Sequence, residues 1–379
     1  MAYCQFGTPK VGAFECQGGP CQSWSGGRCE GEGSVTFTYP PVDLGDVSFF
    51  TPLGNMTAGG HILPTNHTYF SFTTQEQVYP PPYRVIAPAD GRLVMVCRLE
   101  FTNSSPDQSW TTGSYNLYIE HSCTFYSYFI NVNELSSRIQ AALGQELAVG
   151  EYKYLRLEIS AGEILAWAGS WRAVDFGVVD TARENYFVVP EHYGSHETLY
   201  IQSPFDYYGE PLKSQLEAIG PRTAEPLGGK NHYDIDGRLA GNWFLDGCGT
   251  YQGCEGRPYY YAHLAFVYDN MLPQWLAFSF SEAFPLDGQY GIRNNQPDPA
   301  EVSPESGLIK YDLANCFRYS PSPQNGSSDP LHYDPNDSPV LGALLVQMLD
   351  GRSIKVEQFP GMTADEVGGF TEGALVFGR

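Results

Sequence analysis

From about His232 onward the sequence divides into short strand-like runs separated by turns, with alternation in YYYAHLAFVYD suggesting one buried face. They read GNWFLDG, YYYAHLAFVYD, QWLAFSFS, QYGIRNN, GLIKYDL, ALLVQMLD, RSIKVEQF and ALVFG, with a turn every ten residues or so. A period of two sends successive side chains to opposite faces of a strand, so one face of each run can be buried and the other solvated. Seven or eight such strands in succession predict a β-barrel or sandwich. The composition favours the same outcome: 26 Tyr, 22 Phe and 6 Trp supply β-favouring aromatics, and 41 Gly and 28 Pro punctuate them with turns.

The first half of the chain is also strand-like. SVTFTYPP and DVSFFTPLG open it. VIAPADGRLVMVCRLEF predicts a hairpin about Asp90-Gly91, because glycine tolerates a positive φ. YNLYIEH and TFYSYFI predict a second pair, and YLRLEIS, AGEILAWAG and AVDFGVVD three further strands. NELSSRIQAALG predicts a helix capped by Asn133 and ended by Gly144, with Leu135, Ile139, Ala142 and Leu143 on one face. PLKSQLEAIG predicts a second short helix. The expected organisation is a Cys/Gly-rich segment over 1–34, a β-domain over 35–202, a linker with a short helix over 203–230, and a C-terminal β-barrel or sandwich over 231–379. Residues 320–339 form a polar, proline-rich insertion expected to be exposed and mobile. The fold class is mainly β, a sandwich followed by a second β-domain, with few short helices.

The net charge of −22 argues against nucleic acid as a partner, since phosphate is repelled by such a surface. No stretch approaches 18 consecutive apolar residues, so no helical membrane span is expected. Nine cysteines point to an oxidising compartment and a secreted or cell-surface location. Cys4, Cys16, Cys21 and Cys29 sit among Gly and polar residues that cannot build a core, and the spacings between them lack a C-x-x-C knuckle, which favours disulfides over zinc. Cys248 and Cys254 close a short Gly-rich loop and are expected to pair. Cys97 and Cys123 lie in adjacent strand-like segments that a disulfide would staple, which leaves Cys316 over. Asn-x-Ser/Thr triplets at Asn55, Asn66, Asn103, Asn325 and Asn336 permit glycosylation in a secreted protein.

Over about residues 50–180 five pieces occur in a fixed order: GGHILPTNH, APADGRLVMV, LYIEHSCTFYSYFINVNEL, AGEILAWAG and AVDFGVV. In that order the segment resembles the M23 (LytM-type, lysostaphin-like) peptidases. The resemblance implies a β-sandwich whose His, Asp and His ligands hold Zn²⁺ and leave a position open for an activated water, with two further histidines assisting. Carried over residue by residue, His61 takes the first ligand position. Asn66 falls near the Asp position, one residue beyond the usual spacing, and an amide is a poor zinc ligand beside a carboxylate. Asp175 takes the last ligand position, Ala173 stands where one assisting His is expected, and Phe129 or Ile130 replaces the other. A reduced divalent-metal (zinc) site would combine His61 or His67 with Asp175, and His121 as a further donor; alternatively these histidines are ordinary hydrogen-bonded strand and turn residues. With two ligands changed and both helpers gone, no enzyme activity and no cofactor are expected.

Other features carry less. His192 and His196 have H-x-x-x-H spacing in a loop, and Asp234-Ile-Asp-Gly opens like a calcium loop without its closing Glu. The tyrosine tracts FDYY and RPYYYAH make Tyr207, Tyr208, Tyr259 and Tyr260 candidate ligand-binding residues, since tyrosine gives contact area at low entropy cost; they can equally line a core. The leading expectation is a secreted pseudoenzyme, a non-catalytic binding or structural protein for a glycan, cell-wall polymer or protein partner. The alternatives are a metal-dependent hydrolase with a rearranged site and a subunit of an extracellular assembly.

Overall fold

The structure, a computed structural model, describes residues 29–57, 59–73, 80–105, 108–169, 172–194, 197–248, 250–316 and 334–379. Cys4, Cys16, Cys21, His196, Asn325 and most of the 320–339 insertion lie outside those residues. The protein is mainly β and divides into two compact units, each built from three stretches of chain. The first takes residues 1–52, 66–184 and 195–221; the second takes 53–65, 185–194 and 222–379. No helix among the described residues is long and apolar enough to cross a membrane.

The first unit contains β1 (Val47–Thr51), β2 (Thr68–Phe72), β3 (Tyr83–Ile86), β4 (Gly91–Ser105), β5 (Gln108–Glu120), β6 (Phe125–Val132), β7 (Glu134–Leu135), α1 (Ser137–Leu143), β8 (Tyr152–Ile159), β9 (Ile164–Ala168), β10 (Ala173–Asp180), β11 (Ile201–Gln202) and α2 (Leu212–Ala218). Its large sheet runs in the order β1-β2-β10-β6-β5-β4-β8, with β11 also on β10, and a smaller sheet runs β3-β9-β7. Residues directly opposite in paired strands share a face, so the register sorts the side chains. Phe50 faces Phe70, Phe70 faces Val174, Phe176 faces Phe129, and Leu117 faces Phe129. This face is apolar. Phe37 packs on Phe125 and Phe176, Phe205 stacks on Phe50 at 4.5 Å, and Tyr83 of the small sheet stacks on Phe72 at 4.0 Å. Each such ring fully removed from water contributes about 1.5–3 kcal/mol.

Three expectations are corrected here. SVTFTYPP makes no strand; Phe37 contributes one isolated bridge to Tyr208. The Asp90-Gly91 hairpin does not form, because β3 pairs with β9 while β4 pairs with β5 and β8. Gly91 is required for space rather than for a left-handed turn: a Cβ there would sit 2.8 Å from both the Glu120 carbonyl oxygen and His121 Nδ1. The cap of α1 is Ser136, which accepts from Ile139 N, rather than Asn133; Gly144 does end the helix, at φ 75°.

The disulfides also differ in part. Cys248 pairs with Cys254. Cys123 pairs with Cys29, 94 residues away, and not with Cys97. Cys97 is disulfide-bonded as well. Its neighbour across the sheet on β5 is Asn116, so no cysteine stands opposite it on that strand.

The second unit is a closed barrel of β12 (Gly241–Leu245), β13 (His263–Tyr268), β14 (Leu276–Phe280), β15 (Gly288–Ile292), β16 (Leu308–Asn315), β17 (Gly342–Met348), β18 (Ser353–Pro360) and β19 (Leu375–Gly378). Every neighbouring pair is antiparallel, and β12 closes on β19 through Phe244↔Gly378 and Leu245↔Phe377. Alternation fills the interior: Trp243, Leu264, Phe266, Phe278, Tyr311 and Leu344 are among its buried residues. Ala343 and Leu345 face out and are covered by Val367 and Phe370.

Candidate functional site

The other face of the large sheet of the first unit is rich in tyrosine and polar groups. Following the register across it, Tyr69 faces Asp175, Gly177 faces Tyr128, Tyr128 faces Tyr118, and Tyr118 faces Met95, which faces Tyr154. Tyr126 lies on this face two residues from Tyr128, and Tyr152 two residues from Tyr154. The face is closed over its middle, where Tyr118, Tyr126 and Tyr128 are buried, and open at β8.

Gly177 makes the central stacking achievable. A Cβ there would meet the Tyr128 ring at 2.1 Å, so only glycine lets the ring lie flat on β10. Tyr128 stacks on Tyr118 with centroids 5.5 Å apart and donates its hydroxyl to the Asn66 carbonyl at 2.8 Å. The Asn66 side-chain amide donates to Glu197 Oε1 at 2.9 Å. Burial pushes the Glu197 carboxyl up to about 7, against the stabilising hydrogen bonds of Tyr128 and Asn66.

Asp175 sits beside this cluster on the same face. Asn131, held at φ 67° by an irregularity in β6, donates its amide to Asp175 Oδ2 at 2.8 Å. His67 Nε2 lies 3.6 Å from that oxygen. His67 Nδ1 is 2.9 Å from Asn66 Oδ1, which can only accept, so Nδ1 carries the proton. His67 Nε2 is in turn hydrogen-bonded to the Tyr69 hydroxyl at 3.0 Å. Burial holds the Asp175 carboxyl well above the carboxylate range, up to about 8. The two side chains are thus tied into one hydrogen-bonded cluster with Tyr69, Asn66 and Asn131.

Of the expected metal set, His67 and Asp175 come together, while His61 belongs to the second unit. Burial lowers the His61 imidazole to about 4. His121 is on the apolar face: its Nδ1 donates to the Asp90 carbonyl at 2.8 Å, its Nε2 accepts from Ser127 at 2.8 Å, and its ring lies 5.6 Å from Phe37. Among the described residues no group of three or more His, Cys, Asp or Glu side chains is gathered as a metal centre would require. Among the described residues, His67 and Asp175 are therefore two donors without a third of these types gathered beside them.

Tyr207 and Tyr208 are corrected to core residues, 7% and 5% exposed. Tyr207 donates to Asp180 Oδ2 at 2.9 Å, and Tyr208 meets Phe37 edge-on. Tyr259 and Tyr260 are half-buried beside the Cys248–Cys254 loop; Tyr259 donates to the Gly60 carbonyl at 2.7 Å. Asp234 is no calcium-loop ligand: it is buried, accepts from the backbone N–H groups of Val188 and Asn242, and faces Arg379. Glu197, Asn131 and the tyrosines of the polar face were not singled out from the sequence. The readable sign was tyrosine at i and i+2 in FYSYF and in YKY.

No family model matches the chain, and no curated protein matches it. Among solved structures, a zinc-containing peptidase from Vibrio cholerae is similar over 44% of this chain, at 16% identity and a TM-score of 0.22. The similarity spans 42% of that peptidase chain, and at this TM-score it carries no argument about fold or function.

Proposed function

We propose that the protein is a secreted or cell-surface binding protein without catalytic activity, built on an M23-like scaffold whose polar sheet face serves as ligand surface instead of hydrolytic centre. One observation carries the reading. His67 and Asp175, the two donors that do meet, are hydrogen-bonded within the protein, both His67 ring nitrogens to Asn66 and Tyr69 and Asp175 Oδ2 to Asn131. A water-activating centre needs ligand atoms free to coordinate and an open position on the metal; here both imidazole nitrogens and one carboxyl oxygen are taken up by protein groups. The two disulfides among the described residues fit an oxidising compartment. The ligand classes in view are a glycan, a cell-wall polymer or a protein.

A rearranged metal-dependent hydrolase is the second reading, favoured by the 3.6 Å approach of His67 to Asp175. Metal analysis of protein purified without chelator or nickel, together with a peptidoglycan hydrolysis assay, separates the two. The binding reading expects less than one-tenth equivalent of zinc, to order of magnitude, and no hydrolysis. Equimolar zinc with hydrolysis abolished by His67→Ala would overturn it.

A further inference from the structure

The Cys248–Cys254 disulfide, with a sequence separation of 6, closes a short ring between β12 and β13 of the second unit. Tyr251 at the middle of the ring acts as a hub. Its N–H donates to the His192 carbonyl at 2.9 Å, and its carbonyl accepts from His263 Nε2 at 3.0 Å. Its side chain packs on Tyr193, Tyr259 and His263, with centroids 5.8, 5.9 and 5.2 Å away. Tyr259 in turn donates its hydroxyl to the Gly60 carbonyl at 2.7 Å. The disulfide ring is thus joined to residues 53–65 and 185–194, the two stretches that the second unit takes from earlier in the chain. Each stretch leads within a few residues to the polar cluster of the first unit. Asn66 follows Gly60 and Glu197 follows His192, and the Asn66 amide donates to Glu197 Oε1 at 2.9 Å.

The cysteines of this ring are also the more accessible ones. Cys248 and Cys254 are half-buried among the exposed residues Gly247, Thr250, Gln252 and Glu255. Cys29 and Cys123 are 9% and 6% exposed, and Cys97 is fully buried. An attacking thiolate must reach a sulfur to exchange with it, so access selects which disulfide opens first. We propose that the Cys248–Cys254 disulfide is a redox-sensitive clasp that holds Asn66 and Glu197 in place on the polar face. This rests on the reading of that face as ligand surface and adds how access to it is regulated. An external dithiol supplies the two electrons and two protons. Its thiolate attacks one sulfur, its second thiol resolves the mixed disulfide, and Cys248 and Cys254 are left as thiols while the dithiol becomes a disulfide. Closing a ring of this length favours the closed arrangement of the chain by roughly fiftyfold. With the ring opened, Tyr251 and Tyr259 lose that constraint, and their hydrogen bonds to His192 and Gly60 break more often.

The test treats the full chain with dithiothreitol over roughly 0.1–10 mM near neutral pH. Differential alkylation maps the thiols, and hydrogen exchange read by mass spectrometry follows the backbone. Cys248 and Cys254 are expected to open at a lower dose than Cys29 and Cys123. Exchange in peptides covering 53–67 and 185–200 should then rise roughly tenfold or more, while β14 to β17 keep their protection. Without reductant, Tyr259→Phe should raise exchange in 53–67, since it removes the hydrogen bond to Gly60. The proposal is overturned if the ring resists reduction or Cys29–Cys123 opens first. It is equally overturned if the ring opens with exchange in both stretches unchanged, if the whole barrel loses protection together, or if Tyr259→Phe leaves 53–67 unaltered. Loss of the clasp leaves the binding reading standing; stoichiometric zinc with hydrolysis would remove that reading and leave the thiol map intact.

Discussion

Replacing Asp175 by Asn should make the protein more stable at pH 7. The carboxyl is buried on the polar sheet face and held up to about 8, against an ordinary value of 3.8. A raised carboxyl contributes stability that is fully present below its unfolded value and is lost as pH rises through the folded one. At pH 7 the folded state keeps a proton that the unfolded chain has released. At about 1.36 kcal/mol per pH unit, the interval from 3.8 to 7 sets a ceiling near 4 kcal/mol on the penalty. Asparagine has the shape of the protonated acid and still accepts from Asn131. After loss of some hydrogen-bond quality, Asp175→Asn should gain about 1–3 kcal/mol. The assay is urea unfolding between pH 5 and 9. His61, His121 and His232, each lowered to about 4, are neutral in both states above their ordinary 6.5, so they do not tilt the curve there. Glu197, raised to about 7, adds a slope of the same sign below that pH, so the fall from pH 7 to 8 belongs chiefly to Asp175. The variant should flatten that fall. An Asp175→Asn protein less stable than the parent at pH 7, with the slope unchanged, would refute the reasoning; it would mean an ionised Asp175 beside an imidazolium or a cation, as a working metal centre requires.

Two further perturbations test the frame around that face. Gly177→Ala drives a methyl into the Tyr128 ring and should destabilise by about 2–4 kcal/mol through overpacking and loss of the Tyr128–Asn66 hydrogen bond, read from the urea midpoint; an unchanged midpoint contradicts the stacking. Removing the Cys29–Cys123 bridge by double Ser substitution opens a link spanning 94 residues and should cost about 2–5 kcal/mol in thermal or urea unfolding, with no loss if the pairing is wrong.

The barrel was the most legible part of the chain. Its eight strands are each bounded by turns and follow one another as neighbours, so local pattern and long-range pairing coincide. The first unit was legible strand by strand but not pairing by pairing. Asp90-Gly91 has the residues of a hairpin turn, yet glycine there answers to the crowding of Glu120 and His121, which only the assembled sheet reveals. The candidate site was half legible. Asp175 was placed by its position in a motif. Glu197 reaches Asn66 across 131 residues of sequence, and no local pattern marks such a contact. Tyr207 and Tyr208 misled because a run of tyrosines reads the same whether its rings face a ligand or, as here, Asp180 and Phe37.

The interleaving of the two units bears on how this chain could be rearranged by evolution or by hand. A fragment starting at residue 231 carries all eight barrel strands but lacks Tyr193, whose hydroxyl accepts from the buried Asn242 amide. It would therefore start life with a buried amide left without its partner. Neither half is a cassette that recombination can lift out with two cuts, so the pair must be inherited, duplicated or transplanted together.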